Sequence, residues 1–440
     1  MRRRHIVVGA VLIAASTALI VAAASYGGSS TPTKASGSSV LPSASCSPVF
    51  YRGAGRPQYL IASDLPLQGA GRAQTISMVK AIQYVISNQF KFKAGEYTVG
   101  YQSCDDSTAQ AGGWAPEKCT ANARAYAADR SVLGVLGTFN SGCAKLEIPI
   151  LNRASGGSVA MISAANTAVG LTHKAAWNDP GEPNIYYPTG VRNYARVATS
   201  DDYQGPFAAD LLKRLKKTSV YVLHDNQTFG KGVGNAFRVR ARALGIRVLG
   251  FEAWDAKAAS YEAIGERIKA SGAQSVYLGG IICNNGVKLL KDLRDVLGAG
   301  PQFVGPDGWT PFSALVKAGS ASQGMYVSVA GLPLNQLGKA GKKFLTAFAK
   351  FQKKKSVDPY AVYAAQTAVV LLDAIAKSNG TRRSVVQNVF KTKIKDGIMG
   401  TFEFDKNGNI CPTKAISFYQ LKGTSAAYKL AVLNQVKTGC

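Results

Sequence analysis

Residues suited to binding an anion recur at four places along the chain, and each place is the predicted start of a helix. The four phrases are GTFNSGCA (137–144), MISAANTAVGLTH (161–173), ATSDDYQGPFAA (198–209) and FVGPDGW (303–309). The start of a helix offers free backbone N–H groups and a partial positive charge, so it attracts carboxylates and other anions. No catalytic base accompanies the phrases, and the pattern therefore indicates a binding cleft rather than an enzyme.

The histidines outside the first segment do not belong to a catalytic motif. His224 ends a predicted strand before Asp225, but neither a GxSxG phrase nor a spaced pair of carboxylates accompanies it. The glycines of GKGVG (230–234) lack the third glycine of GxGxxG and the GK[ST] of a P-loop. No Cys/His spacing suits zinc. The sequence therefore predicts no catalytic residue, no metal site and no cofactor.

The first 24 residues have the composition of an export signal. Three arginines at positions 2–4 precede an apolar run of 19 residues, 6–24. Small residues at its end favour cleavage near Ala24, although the run is long enough to remain as an anchor. Residues 25–57 follow, and they begin with a Ser/Gly/Thr/Pro-rich linker. Cys46 lies too far from the end of the apolar run to be a site of lipid attachment. We expect an exported protein that is periplasmic or associated with the cell surface.

The formal net charge of +27 is the most unusual bulk property of the chain. Such a charge often marks nucleic-acid binding. Export and the scattered positions of the basic residues argue against that partner. We expect a solvated basic surface that is attracted to an anionic envelope.

Seven cysteines in an exported chain predict disulfides, and the odd number leaves at least one thiol free or intermolecular. We predict the pairs Cys104–Cys143 and Cys411–Cys440. Cys46 and Cys283 stand apart from these groups, and Cys119 lies between the members of the first pair.

Apolar runs of strand length alternate with helical stretches from Gln58 onward, which is the order of a parallel α/β fold. The first half contains predicted strands at 58–67, 97–106, 132–139 and 158–163. The pattern then restarts, with predicted strands at 219–225, 246–254, 275–281, 301–308 and 324–331. A polar, proline-rich stretch separates the halves, and a late helix (360–377) and a hairpin (400–409) follow. Two α/β units of similar size are therefore predicted.

The order of these phrases resembles the type I periplasmic binding proteins, in the leucine/isoleucine/valine-binding branch that serves ABC importers. The resemblance covers about 58–420 and runs through LPLQG, CDD, GTFNSG, MISAANT, DDYQG, HDNQTFGKG, GPDGW and YAVYAAQTAVVLLDAI. It implies an α/β fold of two Rossmann-like lobes, joined by a hinge of three crossovers, with a ligand enclosed between them. The implied segments are 58–194 plus 332–399 for the first lobe, 198–328 plus 403–440 for the second, and 195–199, 329–331 and 400–402 for the hinge.

The resemblance also assigns contacts to the head group of an α-amino acid. The hydroxyl and N–H of Ser141 would meet the ligand carboxylate. The carbonyl of Ala165 and the hydroxyl and N–H of Thr167 would also contact the ligand, so that the three residues together hold both ends of the head group. Asp307 would pair with the ammonium, since a buried charge needs a partner. The alternatives are ordinary helix caps for the serine and threonine, and a turn residue for the aspartate.

The side-chain pocket departs further from the family. Phe229 keeps an aromatic ring but lacks the hydroxyl that the branch often has, and Ala70 replaces an aromatic residue of the first loop. Trp309 would either stack on a ligand or pack at the lobe interface. Leucine as the ligand therefore does not follow, and the roles of an insertion around Trp114 and of the stretch 174–193 are open.

The resemblance implies a monomer that captures an amino acid or a similar small carboxylate by hinge closure and delivers it to an ABC permease. An alternative is a sensor of the same fold that presents its ligand to a membrane receptor. A third possibility is an exported α/β enzyme. Nucleic acid is not an expected partner.

Overall fold

The computed structural model describes residues 40–412 and 416–432, with side chains described as far as 425. The predicted signal or anchor at 1–24, most of the linker and Cys440 lie outside the described residues. The strands are β1 (Tyr59–Leu65), β2 (Lys93–Ala94), β3 (Tyr97–Asp105), β4 (Ser107–Thr108), β5 (Gly113–Trp114), β6 (Val132–Gly137), β7 (Ala160–Ser163), β8 (Tyr194–Arg196), β9 (Ser219–His224), β10 (Arg247–Ala253), β11 (Ser275–Gly279), β12 (Gln302–Gly305), β13 (Tyr326–Ala330), β14 (Lys393–Gly397), β15 (Gly400–Phe404), β16 (Ile410–Cys411), β17 (Ile416–Lys422) and β18 (Ser425–Val432).

Helices alternate with these strands along most of the chain. They are α1 (Arg72–Tyr84), α2 (Pro116–Ala128), α3 (Ser141–Asn152), α4 (Asp201–Arg214), α5 (Thr228–Ala243), α6 (Glu262–Ser271), α7 (Gly286–Leu297), α8 (Phe312–Leu315), α9 (Lys339–Phe351), α10 (Pro359–Ala376) and α11 (Arg382–Phe390). A π-helical turn continues α1, and a 3₁₀ turn, Asp307–Trp309, follows β12.

The first lobe is built on a six-stranded sheet in the order β2-β3-β1-β6-β7-β8. Its strands are parallel except β2, which pairs antiparallel with β3. Side chains alternate across β1, so Leu60 packs with α2 and α3 on one face while Ile61 packs with α1 and α10 on the other. The strands are apolar on both faces because helices cover both faces.

The second lobe is built on a seven-stranded sheet in the order β10-β9-β11-β12-β13-β17-β18. Strands β9 to β13 are parallel, and the last two strands run antiparallel at one edge. Val220 and Val222 face the core under α4 and α5, whereas Tyr221 and Leu223 face the core under α6 and α7. The restart of the strand pattern in the sequence thus corresponds to a second sheet.

The C-terminal part of the chain returns to the first lobe before it ends in the second. Helices α9, α10 and α11 pack in the core under the first sheet. The predicted hairpin at 400–409 is present as β15 and β16, and Phe404 and Ile410 from it pack in that same core. The prediction assigned residues from 403 onward to the second lobe. The packing instead places the third crossover after Cys411, where β17 joins the second sheet.

The described residues contain the disulfides Cys46–Cys104 and Cys119–Cys143, so the predicted pair Cys104–Cys143 is wrong. Cys104 lies near the end of β3, beside an N-terminal segment that runs antiparallel to that strand. Cys143 lies in the first turn of α3, which packs against α2 and its Cys119. Cys283 is a free thiol. The pair Cys411–Cys440 stays a prediction because Cys440 is outside the described residues.

Three carboxyl groups are buried beside the second disulfide, between β1, α3 and the end of β3. Asp64, Asp106 and Glu147 have no exposed surface. The Cys143 Sγ lies 3.6 Å from Asp106 Oδ2 and 3.5 Å from Glu147 Oε1, and Asn122 Nδ2 donates to Asp64 Oδ1 at 2.9 Å. Burial raises the pKa of Asp64 to about 6. Burial and the neighbouring negative charge also raise the pKa values of Asp106 and Glu147. The folded protein therefore retains protons here that the unfolded chain releases.

We expect the free energy of unfolding to fall as the pH rises from about 4 to about 7. Between the unfolded pKa of 3.8 and the folded pKa of about 6, the folded state binds more protons at Asp64. A shift of two pKa units corresponds to about 3 kcal/mol. Urea unfolding over this pH range measures how steeply the free energy of unfolding falls with pH. Glu147→Gln replaces a titrating group with one that is neutral at every pH, so it should make this dependence less steep. Glu262→Gln, at an exposed position, should leave the dependence unchanged. Equal slopes in the two variants would contradict the assignment.

Candidate functional site

A small cavity of about 30 Å³ lies between the two lobes, where loops from both sheets meet. Ser141 begins α3 after β6, and Ala165 follows β7. Phe229 lies in the first turn of α5 after β9, and Asp307 follows β12. The carboxyl ends of parallel strands are the common place for ligands in α/β folds. The cavity is lined by Phe139, Asn140, Ser141, Ala165, Phe229, Ile281, Asp307, Gly308 and Tyr360.

The structure therefore brings together four of the six predicted site residues. Ser141 is buried, and its Oγ accepts a long hydrogen bond from the Ala168 N–H at 3.4 Å. As the first residue of α3, its N–H is among those with no partner inside the helix. Thr167 does not line the cavity, but its Oγ1 is buried without a hydrogen-bond partner. These groups provide donors next to the cavity.

Asp307 provides the opposite charge from the second lobe. Its Oδ2 accepts a hydrogen bond from the hydroxyl of Tyr360, which lies on α10 of the first lobe. Its Oδ1 has no hydrogen-bond partner, and its backbone N–H donates to Gln204 Oε1 at 2.9 Å. Burial raises the pKa of Asp307 to about 6. One oxygen of the carboxyl group thus remains without a partner at the cavity.

Sequence reasoning missed a set of buried polar atoms near Asp307. Both carboxylate oxygens of Asp201, Gln204 Nε2 and the Tyr277 hydroxyl have no partner among the described residues. Burial, followed by the charge of Asp307, raises the pKa of Asp201. Buried polar groups are normally hydrogen-bonded, so this set has capacity for further polar contacts, as do the unpaired oxygens of Asp64, Asp106 and Glu147 in the first lobe.

The phrase DDYQG contains the signal for these residues, because it places two adjacent aspartates at the start of a helix. Ser200 occupies the N-cap position of α4. The Oδ2 of Asp202 lies 2.9 Å from His173 Nε2. The preceding carboxylate, Asp201, is the one directed to the interior.

Trp309 is not brought to the cavity. It is fully buried in the core of the second lobe, where its Nε1 donates to the Leu278 carbonyl at 2.7 Å. Gly305 leaves room for the ring, since a Cβ there would lie 2.4 Å from it. The 3₁₀ turn therefore directs Asp307 to the cleft and Trp309 to the interior of the second lobe. This is neither of the two environments predicted for Trp309, which were a stack on the ligand and the interface between the lobes.

A larger cavity of about 350 Å³ adjoins the small one and shares Phe139, Asn140, Ile281 and Gly308 with it. The hairpin of β4 and β5, which is the insertion of open role, forms one wall of this outer cavity. Trp114 at its end packs on α3 so closely that a Cβ at Gly142 would lie 2.5 Å from the ring.

Hydrogen bonds cross the cleft at several points. Trp114 Nε1 donates to Gln227 Oε1 of the second lobe at 3.0 Å. Gln74 Nε2 lies 3.3 Å from Thr310 Oγ1, and Tyr360 reaches Asp307. The lobes are thus held in a closed arrangement around the two cavities.

The fold and the cleft are those of a binding protein with two lobes, and comparison with known proteins identifies the family. The sequence model of the periplasmic binding protein family matches residues 61–426, and the chain belongs to this family. The chain is 28% identical over 226 residues to the leucine-, isoleucine-, valine-, threonine- and alanine-binding protein of Pseudomonas aeruginosa. That match covers 50% of this chain and 58% of the relative, less than two thirds of its length.

A longer match joins the chain to Leu/Ile/Val-binding protein homolog 1 of Brucella abortus, at 25% identity over 71% of this chain and 78% of the relative. Among solved structures, a leucine-binding protein of Thermotoga maritima superposes with a TM-score of 0.72 at 20% identity, over 86% of this chain and 99% of the other. A solute-binding protein of an ABC transporter from R. palustris, in complex with 4-hydroxybenzoate, has a TM-score of 0.70 at 16% identity, over 85% and 96% of the two chains. These structures confirm the α/β fold of the periplasmic binding proteins.

We expect Trp114→Phe to favour the open cleft, because an aromatic side chain remains while the indole N–H that donates to Gln227 is lost. A neutral hydrogen bond contributes about 1 kcal/mol, so the closed population should fall roughly fivefold relative to the open one. Distances between spin labels on the two lobes measure this equilibrium. The matched control is Trp177→Phe, because the Nε1 of Trp177 has no partner to lose. An unchanged distance distribution in Trp114→Phe would refute the bridging role.

Proposed function

We propose that the chain is an extracytoplasmic solute-binding protein that captures an α-amino acid or a similar small carboxylate and delivers it to an ABC importer. One observation carries the proposal. The N-terminus of α3 at Ser141 and the carboxylate of Asp307 line the same cavity of about 30 Å³. An α-amino acid carries a carboxylate and an ammonium on one carbon, so it can meet the helix terminus and the aspartate together.

The unpaired atoms around Asp307 support an ammonium rather than a neutral group at this end. Asp201 and Asp307 are buried carboxyls, and Asp307 has one oxygen without a partner. A cation that enters would stabilise their ionised forms. The ammonium would replace or join the Tyr360 hydroxyl at Asp307. The rest of the ligand would extend toward Ile281 and the outer cavity.

The ligands named for the relatives all carry a carboxylate, but only the amino acids also carry an ammonium group. The Pseudomonas protein is named for five amino acids, and the R. palustris protein was solved with 4-hydroxybenzoate. The two acids near the small cavity favour amino acids for this chain over aryl carboxylates. The export signal predicted at 1–24 supports a location outside the cytoplasm, and family membership supports a permease as partner.

The proposal assigns no catalytic residue. Neither described histidine lines the small cavity. Burial lowers the pKa of His224 to about 4, and its ring packs 4.8 Å from that of Phe251. His173 pairs with Asp202. Neither imidazole is positioned to act as a base on a ligand between the lobes.

A thermal-shift panel of the standard amino acids, benzoate and 4-hydroxybenzoate tests the ligand class. A ligand at about 1,000 times its Kd adds roughly 4 kcal/mol of stability. The largest shift should come from an amino acid. A shift with the benzoates alone would keep the fold and overturn the ammonium site.

Affinity for the amino acid selected by the panel should fall as the pH drops through about 6. The ammonium requires ionised Asp307, whose pKa in the free protein is about 6. One proton taken up on release of the ligand makes binding about tenfold weaker at pH 5 than at pH 7. Calorimetric titration across this range measures the effect. An affinity that is constant from pH 7 to pH 5 is the opposing result.

Asp307→Asn should weaken binding of that amino acid by roughly 10- to 100-fold, because a charged hydrogen bond becomes a neutral one. Combining it with Ser141→Ala should abolish detectable binding while the melting temperature stays near that of the parent. The exposed Asp255→Asn is the matched control. Intact affinity in the double variant would remove both residues from the site.

A further inference from the structure

The strongest concentration of unbalanced charge on the described surface lies on α9 and the turn that follows it. The segment 339–355 reads KAGKKFLTAFAKFQKKK, with seven lysines and no acidic residue. All seven lysine side chains are exposed. We call this surface the α9 lysine face.

The lysines within the helix lie on one side. Successive residues of a helix are rotated by about 100°, so Lys339, Lys342, Lys343 and Lys350 fall within an arc of about 100°. The buried residues Gly341, Phe344 and Phe348 occupy the opposite side and pack on the first lobe. The helix is therefore divided into an apolar inner side and a cationic outer side.

Two other helices pair a lysine with an acid one turn away. Lys288 pairs with Asp292 on α7 at 2.8 Å, and Lys377 pairs with Asp373 on α10 at 2.6 Å. None of the seven lysines of the α9 lysine face forms an ion pair within the described residues. Like charges three and four positions apart, such as Lys339 and Lys343, repel one another. Helix stability therefore does not explain this arrangement.

The neighbouring elements do not neutralise the face. Strand β14 lies beside α9 and adds the exposed Lys393 and Lys395. The acids nearby are Asp396 of β14 and Glu403 of the neighbouring strand β15. Glu403 lies 3.7 Å from Lys393. The remaining acid, Asp358, is half-buried and accepts hydrogen bonds from Gln74, and it interacts electrostatically with Lys354 alone of the seven lysines.

An apolar group accompanies the charge. Phe351 ends α9 with 37% of its surface exposed, and its ring packs edge-on against Tyr84 at 5.3 Å. Lysines beside an exposed aromatic ring suit the boundary of an anionic bilayer, where cations meet phosphates and the ring enters the interface. Helix α9 lines neither cavity of the cleft, so ligand binding does not account for the pattern.

We propose that the α9 lysine face binds the surface of an anionic phospholipid bilayer and holds the first lobe against the membrane. A bilayer fits better than nucleic acid because the face presents one exposed ring and not the several stacking rings on which bases are bound. The sequence also predicts that the chain crosses a membrane on export. The disulfide Cys46–Cys104 attaches the segment that continues from the linker to this same lobe. The second lobe can then move relative to the first lobe, which stays bound to the membrane.

The test compares the full chain on vesicles with about 30% phosphatidylglycerol and on neutral phosphatidylcholine vesicles, at about 0.1 M NaCl. An N-terminal apolar segment would insert into both, so the ratio of the two partition coefficients isolates the charge effect. The test variant carries Lys342→Gln, Lys343→Gln, Lys350→Gln and Lys353→Gln. The matched control carries Arg214→Gln, Lys216→Gln, Lys291→Gln and Lys317→Gln, all at exposed positions of the second lobe.

Each lysine near an anionic surface contributes about fivefold, so the ratio should fall by roughly 100-fold or more in the test variant. The control should lose much less, and about 0.5 M NaCl should abolish the preference of the parent. Ligand affinity and melting temperature should match the parent in both variants. An equal loss in both variants, or a parent ratio near one, would overturn the proposal. The proposal would also be overturned if the test variant lost binding to duplex DNA but kept the parent's preference for anionic vesicles.

Discussion

A carboxyl group removed from water must either hold a proton or face a positive charge, and both buried acid clusters of this protein follow from that constraint. In the first lobe, Asp64, Asp106 and Glu147 lie together, and burial raises their pKa values, so they retain protons. In the second cluster, Asp201 and Asp307 are buried as well. Both clusters contain carboxylate oxygens without a hydrogen-bond partner among the described residues, but only the second has a member, Asp307, that lines a cavity between the lobes.

The position of the second cluster depends on how the chain passes between the sheets. Arg196 ends β8 at the first crossover and is fully buried. Its guanidinium donates to Asn409 Oδ1, the Ala168 carbonyl and Thr172 Oγ1 at 2.7–2.9 Å. One side chain thus joins the first crossover to the loop after β7 and to the C-terminal hairpin. Thr167 and Asp201 lie beside this junction, and the Asp201 N–H donates to the Thr167 carbonyl at 2.9 Å, so both residues are fixed next to the first crossover.

Much of the site could be predicted because carboxyl ends of parallel strands must lie at one edge of a sheet. Phrases after successive strands therefore converge, and Ser141, Ala165 and Asp307 meet as predicted. Trp309 could not be placed in this way. Its backbone position is beside Asp307, but a tight turn and the space at Gly305 direct its ring to the opposite side. Asp201 was missed for the same reason, since two adjacent aspartates are indistinguishable until the helix orients one inward and the other toward His173.

The sequence by itself determined the class of fold, the family and the order of the elements, because apolar periodicity and short phrases are local properties of the chain. It also determined the charge of α9, which no fold could alter. Only the tertiary structure decided which cysteines pair, where the chain crosses to the second lobe for the last time, and which polar atoms remain without partners. Those outcomes depend on distances between residues far apart in sequence, and such distances exist only once the two sheets have packed.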